Sequence, residues 1–297
     1  MVMMQALIGS YSSAAAAEVG PGGHLFTSSG THSWTVPAGV TSVSVVCVGP
    51  GGGRYRSGTS SGGGGGGLGY ANNVSVTPGQ TITVQVGAAP AVGQGTHGTD
   101  SYFKDTSTCV GKSGQNASTL TVEGEGGEYV GTGGGFGGDG GSGRYSGGGG
   151  AGGYSGSGGA GRGVTSSGDT RTGRNGSGGG GGGGAGWFAG SGGGVDVYGE
   201  GSSGSGGIGS TTEDGGGEGG SGGEDGTAYD EVTANASKYG GAAGYRVSGL
   251  YPSQGAGVGA DGAVRVIWGT EDTERSFPTT NVANSTNYTN GQTEGLN

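Results

Sequence analysis

From residue 24 to 121, β-branched residues alternate with small polar ones and turn signals recur at short intervals, a pattern that predicts antiparallel β-structure. Residues 31–36 lead into a turn at Pro37-Ala38-Gly39. Residues 41–48 alternate and then become continuously apolar, the mark of a central strand. Residues 73–77 and 80–86 flank Pro78-Gly79, which predicts a hairpin: proline presets φ at the second turn position and glycine accepts positive φ at the third. Val74, Val76, Ile82, Val84 and Val86 are then expected on one face. Further strands are expected over 101–104, 106–110 and 118–122.

From about 124 to 259 neither a period of 2 nor one of 3.6 is present, and glycine alternates with serine, single aromatics and scattered charges. Regular structure then returns at 262–268, with Val264, Val266 and Trp268 on one strand face and Arg265 on the other. A lone strand needs a partner, so this one is expected to pair back with the first hundred residues. The expected fold class is mainly β, a small antiparallel β-sandwich with a long inserted glycine-rich array of polyproline-II helices. The corresponding division is an attachment or assembly segment (1–23), a sandwich head (24–123 plus 260–269), the insertion (124–259), leaving and re-entering at one sheet edge, and a polar tail (270–297) whose apolar anchor is Phe277-Pro278.

Composition sharpens the problem. Of 297 residues 88 are glycine, so a conventional core cannot run through the whole length. The glycine runs 62–67 and 178–184 break any collagen repeat. Ordering a residue costs about 1–2 kcal/mol, and glycine loses the most freedom. A helix is disfavoured by about 1 kcal/mol per glycine, and a wide glycine sheet has no side chains to pack. Polyproline-II strands, with three residues per turn and no internal hydrogen bonds, leave every N–H and C=O available to neighbours. At ~0.5–1.5 kcal/mol per bond, two or more neighbours per strand are needed to offset the entropy, which predicts a packed array. Its turns are expected at 143–146, 168–171, 185–188, 195–198 and 211–214.

The net charge of -10 argues against nucleic acid, and no apolar stretch reaches the ~20 residues of a membrane helix. Two cysteines, Cys47 and Cys109, leave the redox compartment and their own pairing open. Residues 14–17 superficially suggest signal cleavage, but no Lys or Arg precedes Arg54, which favours an attachment segment.

The search for chemistry returns no catalytic constellation, no metal site and no cofactor motif. Gly111-Lys112-Ser113 lacks the first glycine and the helix of a phosphate loop. Residues 134–139 match the start of a calcium-binding nonapeptide, but no repeat follows. His24, His32 and His97 are not at ligand spacing. Glu123, Glu125, Glu128, Glu213, Asp214, Glu218, Glu224 and Asp225 read as a solvated acidic face. The aromatics are weighed differently, because a thin glycine slab offers little interior. Tyr145, Tyr154, Trp187, Phe188 and Tyr198 are therefore the candidate receptor or subunit contacts; stapling of the slab's layers explains them equally well.

The segments Phe26…Trp34-Thr-Val-Pro37-Ala-Gly39, 43–53, 76–87 and the closing 262–269 together resemble the glycine-rich domain found in phage tail fibre and other virion proteins. Residues 275–281 resemble the end of structural proteins from phages of aquatic bacteria, cyanophages included. The glycine tracts are also similar to those of the distal adhesins of T-even-like phages. The resemblance implies a location on the surface of the virion, partners among other virion proteins and copies of the chain itself, and a host surface glycan or outer-membrane protein as receptor. It implies either an adhesin-type tail fibre component or an architectural subunit, one that decorates the capsid or forms a fibre.

Overall fold

The structure is a computed structural model that describes residues 22–54, 61–91, 95–119, 121–143, 145–163, 172–185, 190–208, 215–227, 237–244, 257–269, 275–279 and 293–295. Among them there is no α-helix, and the strands form two antiparallel sheets. One sheet has the order β11 (Thr293–Gly295), β1 (Gly22–Phe26), β10 (Ala263–Trp268), β3 (Ser42–Val48), β4 (Leu68–Ser75), β9 (Gly133–Gly135). The other runs β2 (Gly30–Thr35), β5 (Thr81–Val86), β6 (Ser101–Phe103), β7 (Cys109–Gly111), β8 (Tyr129–Val130).

Period-two patterning sets what lies between the sheets. In β5 the threonines at 81 and 83 face outward while Ile82, Val84 and Val86 are buried. They meet Val43, Val45, Cys47, Val264 and Val266 of the opposite sheet. Trp34 joins the two layers, its ring 6.0 Å from Phe103 and 5.7 Å from Trp268. The cysteines sit side by side in this core as free thiols. Cys47 Sγ donates to the Cys109 carbonyl at 3.4 Å, and burial pushes the Cys47 thiol well above its usual range.

Three expectations need correction. The 77–80 turn forms as expected, with Gln80 N–H donating to Thr77 O at 2.9 Å and Gly79 at φ +78°. It does not close a hairpin, because β4 pairs with β3 and β9 while β5 pairs with β2 and β6. The reason is local: Val76 N–H bonds Thr41 O and Gly79 N–H bonds Val36 O, so this turn crosses from sheet to sheet beside the Pro37 turn. Next, β10 lies between β1 and β3, so the chain returns to the middle of a sheet and not to an edge. Finally, no strand forms at the described residues 118, 119, 121 and 122 of the segment expected over 118–122, whose residue 120 lies outside the described residues. The Thr119 hydroxyl accepts from Val122 N–H at 2.9 Å and captures the amide that a ladder would have used.

The run of apolar residues in β3 reflects a sheet covered on both faces. Away from the sandwich, Leu25, Val46, Val48, Leu68, Ala263 and Ile267 pack against Ala151, Tyr154, Val195, Val197 and Phe277, all contributed by the glycine-rich chain and the tail. Residues 195–198 thus pack onto the sheet instead of forming an exposed turn. The tail anchor is held as expected: Asn72 Nδ2 donates to Phe277 O at 2.7 Å, and Phe277 N–H donates to Asn72 Oδ1 at 2.9 Å.

The glycine segments are ordered by hydrogen bonds whose direction repeats every three residues. In the run 62–67, Gly62 and Gly65 donate to Gly141 and Gly138, Gly63 and Gly66 to Ala243 and Gly240, and Gly64 and Gly67 to Gln115 and Lys112. Its carbonyls accept with the same period from 124 and 127, 149 and 152, and 52 and 49. The run is therefore enclosed by six segments, and these bond to one another in sequence around it: 49–52, 112–115, 124–127, 138–141, 149–152 and 240–243. A second closed ring surrounds 147–152, formed by 63–66, 138–141, 159–162, 181–184, 190–193 and 242, and a third surrounds 180–185. This honeycomb requires glycine wherever a backbone abuts a backbone. A Cβ on Gly64 would meet the Glu125 carbonyl, and one on Gly65 the Gly150 carbonyl.

The division drawn at 123/124 does not follow this bonding. Segments 49–53, 61–67 and 112–117 belong to the honeycomb, while β8 and β9 belong to the sheets.

Candidate functional site

Two features compete for attention: the aromatics singled out by sequence, and a trough that sequence reasoning passed over. Among the aromatics, Tyr154 is wholly buried and stacks on Phe277, ring centres 5.8 Å apart and 18° from parallel. Its hydroxyl donates to Asp196 O and accepts from Gly199 N–H, both at 3.1 Å. Burial pushes its phenol far above the usual range. It staples the honeycomb to the sheet, the second of the two roles expected for it, and offers no surface to a receptor. Tyr198 is half-buried and lies 4.3 Å from the Arg265 guanidinium, a cation–π contact.

Arg265 itself, on the outer face of β10, is wholly buried and donates to Val197 O at 3.4 Å. The nearby Asp196 is pushed above the usual carboxylate range by burial, although Val197 N–H, donating to its Oδ1 at 2.7 Å, and the Arg265 charge act in the opposite direction. Burial also raises Tyr239, to about 12. These groups are joined to one another and to the backbone, so the cluster is an anchor for the sheet face. Tyr145 is half-buried, with φ +49°, and beside it Ser146 Oγ donates to Gly143 O at 2.9 Å; residue 144 of the turn expected at 143–146 lies outside the described residues. Trp187 and Phe188 lie outside the described residues, as do 1–21, 168–171 and 211–214.

The trough follows from the period of three. Where every third residue carries a side chain and the other two are glycine, the side chains form a single row on the open side of the honeycomb. Such rows are Glu125 and Glu128, Phe136 and Asp139, and Ser157 and Ala160; Arg174 and Ser177 keep the same spacing, with Asn175 standing in place of one glycine. Their segments are neighbours: Gly137 N–H bonds Gly127 O, Gly158 N–H bonds Phe136 O, and Arg174 N–H bonds Ala160 O. All eight residues line one open trough of about 620 Å³.

Within it Phe136 is 51% exposed, the one aromatic among the large hydrophobics exposed in the described residues. Its ring is fixed from the side by Tyr129, centre to centre 5.5 Å. Asp139 Oδ1 accepts from Gly126 N–H at 2.9 Å, which ties two rows together, and Asn175 Oδ1 accepts from Gly206 N–H at 2.8 Å. At the rim, Glu128 pairs with Lys112 at 2.5 Å, a bond that lowers the carboxyl and raises the ammonium. The three-residue spacing of non-glycines was the sequence signal for this surface.

Taken together, the architecture defines a class: a mainly β protein whose antiparallel sheets carry a hydrogen-bonded glycine-rich body, joined to one sheet by a second, smaller apolar cluster. Over residues 27–269 the chain matches the model of the glycine-rich domain family, and it belongs to that family. No curated protein matches it.

Proposed function

We propose that this protein is a structural component of a bacteriophage particle, a tail fibre or adhesin-type subunit on the virion surface whose glycine-rich body presents a face to the host. The observation that carries the reading is the row of polar and aromatic side chains on one open face of the glycine-rich body. The honeycomb interior holds glycine and a few small residues such as Ala185, Ser191, Ala242 and Ala243, while Glu125, Phe136, Asp139 and Arg174 are gathered on an open face. Its motif resemblance to virion proteins supplies the context. We further read the honeycomb strands as left-handed polyproline-II helices, since the threefold rotation of bond direction and the bonding to surrounding segments are what that helix permits.

Mass spectrometry and immunogold labelling of purified particles test the location. The protein is expected in the particle at low copy number, and its absence from particles overturns the reading. A second reading, an architectural subunit that decorates the capsid or builds a fibre, is favoured by the fate of Tyr154, which is spent on internal stapling. High copy number, with host binding unchanged when the protein is depleted, selects that second role.

A further inference from the structure

We infer that the trough bounded by Glu125, Phe136, Asp139, Ser157, Arg174 and Asn175 is a binding site for a neutral polysaccharide chain. This rests on the host-surface reading above and gives it a ligand class and an address. A volume of about 620 Å³ lies within the range of ligand sites, ~300–1,000 Å³, yet the trough is open along its length, which suits a chain and not an enclosed metabolite.

The chemistry of the lining selects the occupant. Phe136 presents an exposed ring held on one side by Tyr129, and a flat apolar ring is what the C–H face of a pyranose packs against. The lining also supplies acceptors and donors for hydroxyls: the Glu125 and Asp139 carboxylates, the Arg174 guanidinium and the Asn175 amide. The Asn175 oxygen is held by Gly206 N–H, which fixes the orientation of its amide and keeps its NH₂ group as a donor. A protein or nucleic acid ligand fits less well. The lining has one aromatic and no apolar pocket to anchor a peptide side chain, and three carboxylates, Glu125, Glu128 and Asp139, repel phosphates and uronic acids.

Rigidity adds to the case. The lining side chains stand on backbones that are bonded to their neighbours, for example Gly137 to Gly127 and Gly158 to Phe136, so little backbone entropy remains to be lost on binding. Along each row the side chains repeat every three residues, ~9 Å at polyproline-II rise, a step comparable to a disaccharide unit.

The test uses the full chain. Maltohexaose, cellohexaose, mannohexaose and xylohexaose are titrated by calorimetry, and by NMR with a selectively labelled Phe136 ring; hexagalacturonate serves as the anionic probe. At least one neutral hexasaccharide is expected to bind and to shift the Phe136 resonances, while hexagalacturonate does not. Phe136→Ala is expected to weaken binding about tenfold or more, Phe136→Trp to retain it, and Arg174→Met to weaken it about threefold to tenfold, all with unchanged circular dichroism and melting temperature. If none of the neutral probes binds the folded protein, if hexagalacturonate binds best, or if Phe136→Ala leaves affinity unchanged, the inference is overturned. The outcome is separable from particle location: saccharide binding by a protein absent from particles sinks the virion reading alone, and a particle protein that binds no saccharide sinks this one alone.

Discussion

The sandwich and the honeycomb exclude water by opposite means. Between the sheets the excluded volume is filled by side chains, with Trp34 touching both Phe103 and Trp268. Around 62–67 it is filled by main chain, and six neighbouring segments take up all the N–H and C=O groups of the run. The first region is stabilised mainly by burial of apolar area, the second by a large number of bonds worth ~0.5–1.5 kcal/mol each, set against ~1–2 kcal/mol of ordering per residue. The lesson is a difference in failure mode: one region is damaged by taking atoms away, the other by adding them. Trp34→Ala probes the first and is expected to have the largest effect of the changes considered, a loss of about 3–5 kcal/mol in denaturant unfolding. A loss below ~1 kcal/mol there would mean that the honeycomb, and not the sandwich, holds the fold.

Gly65→Ala probes the second. The added methyl group points at the carbonyl of Gly150, and the neighbouring strand cannot retreat because Gly149 and Gly152 are bonded to Gly63 and Gly66. Overpacking of this kind costs about 1–3 kcal/mol, and the damage should spread along 147–152, visible as faster amide exchange in both runs. Exchange at 63–67 as fast as in an unstructured peptide, even in the unmutated chain, would abolish the comparison itself.

How much of this was legible depended on which region carried the signal. Alternation at 82, 84 and 86 and the placement of Arg265 opposite Val264 and Val266 could be read directly, since period two assigns faces without knowledge of partners. Pairing could not. The Pro78-Gly79 turn was foreseen, but whether it closes a hairpin depends on Thr41 and Val36, which are remote in sequence and which take the amides of Val76 and Gly79. In the honeycomb the need for a packed array followed from entropy alone. Which face carries side chains followed from a spacing of three that searches at 2 and 3.6 cannot register, and Phe136 and Arg174 were missed for that reason. Between the two roles left open for Tyr154, contact or staple, the sequence could not choose, because the choice depends on one face of the body being closed by β3, β10 and Phe277.

The seam between the two regions supplies a smaller, pH-dependent effect. Asp196 has its folded value raised by burial, so its neutral form is favoured in the native state. Its contribution to stability is therefore present below the ordinary carboxylate range, near pH ~3.9, and is lost as pH rises through the raised value. Asp196→Asn keeps an oxygen for Val197 N–H and removes the charge. The melting temperature should rise at pH 7, by less than Gly65→Ala lowers it, and should be unchanged at pH 3. A fall at pH 7 would show that attraction to Arg265 outweighs burial.

The smallest expected effect is the sharpest test of the threefold rows, because it contrasts adjacent residues. Ser157 belongs to the outward row, and Ser157→Ala should alter stability by no more than ~0.5 kcal/mol, as for surface changes elsewhere. Gly158, one position on, rotates into the honeycomb, where a Cβ would meet the Gly150 carbonyl. Gly158→Ala should therefore behave like Gly65→Ala, about 1–3 kcal/mol, although it lies on the same segment and adds the same methyl group that alanine carries at 157. In a β-strand neighbouring positions also differ, but the second neighbour returns to the first face. Here Gly159, with a Cβ directed at the Arg174 carbonyl, should be intolerant too, and tolerance should return only at Ala160, which already carries a methyl group. A pattern of one tolerant and two intolerant positions, read by thermal denaturation across 157–160, is diagnostic of three residues per turn; strict alternation would replace the honeycomb with a sheet.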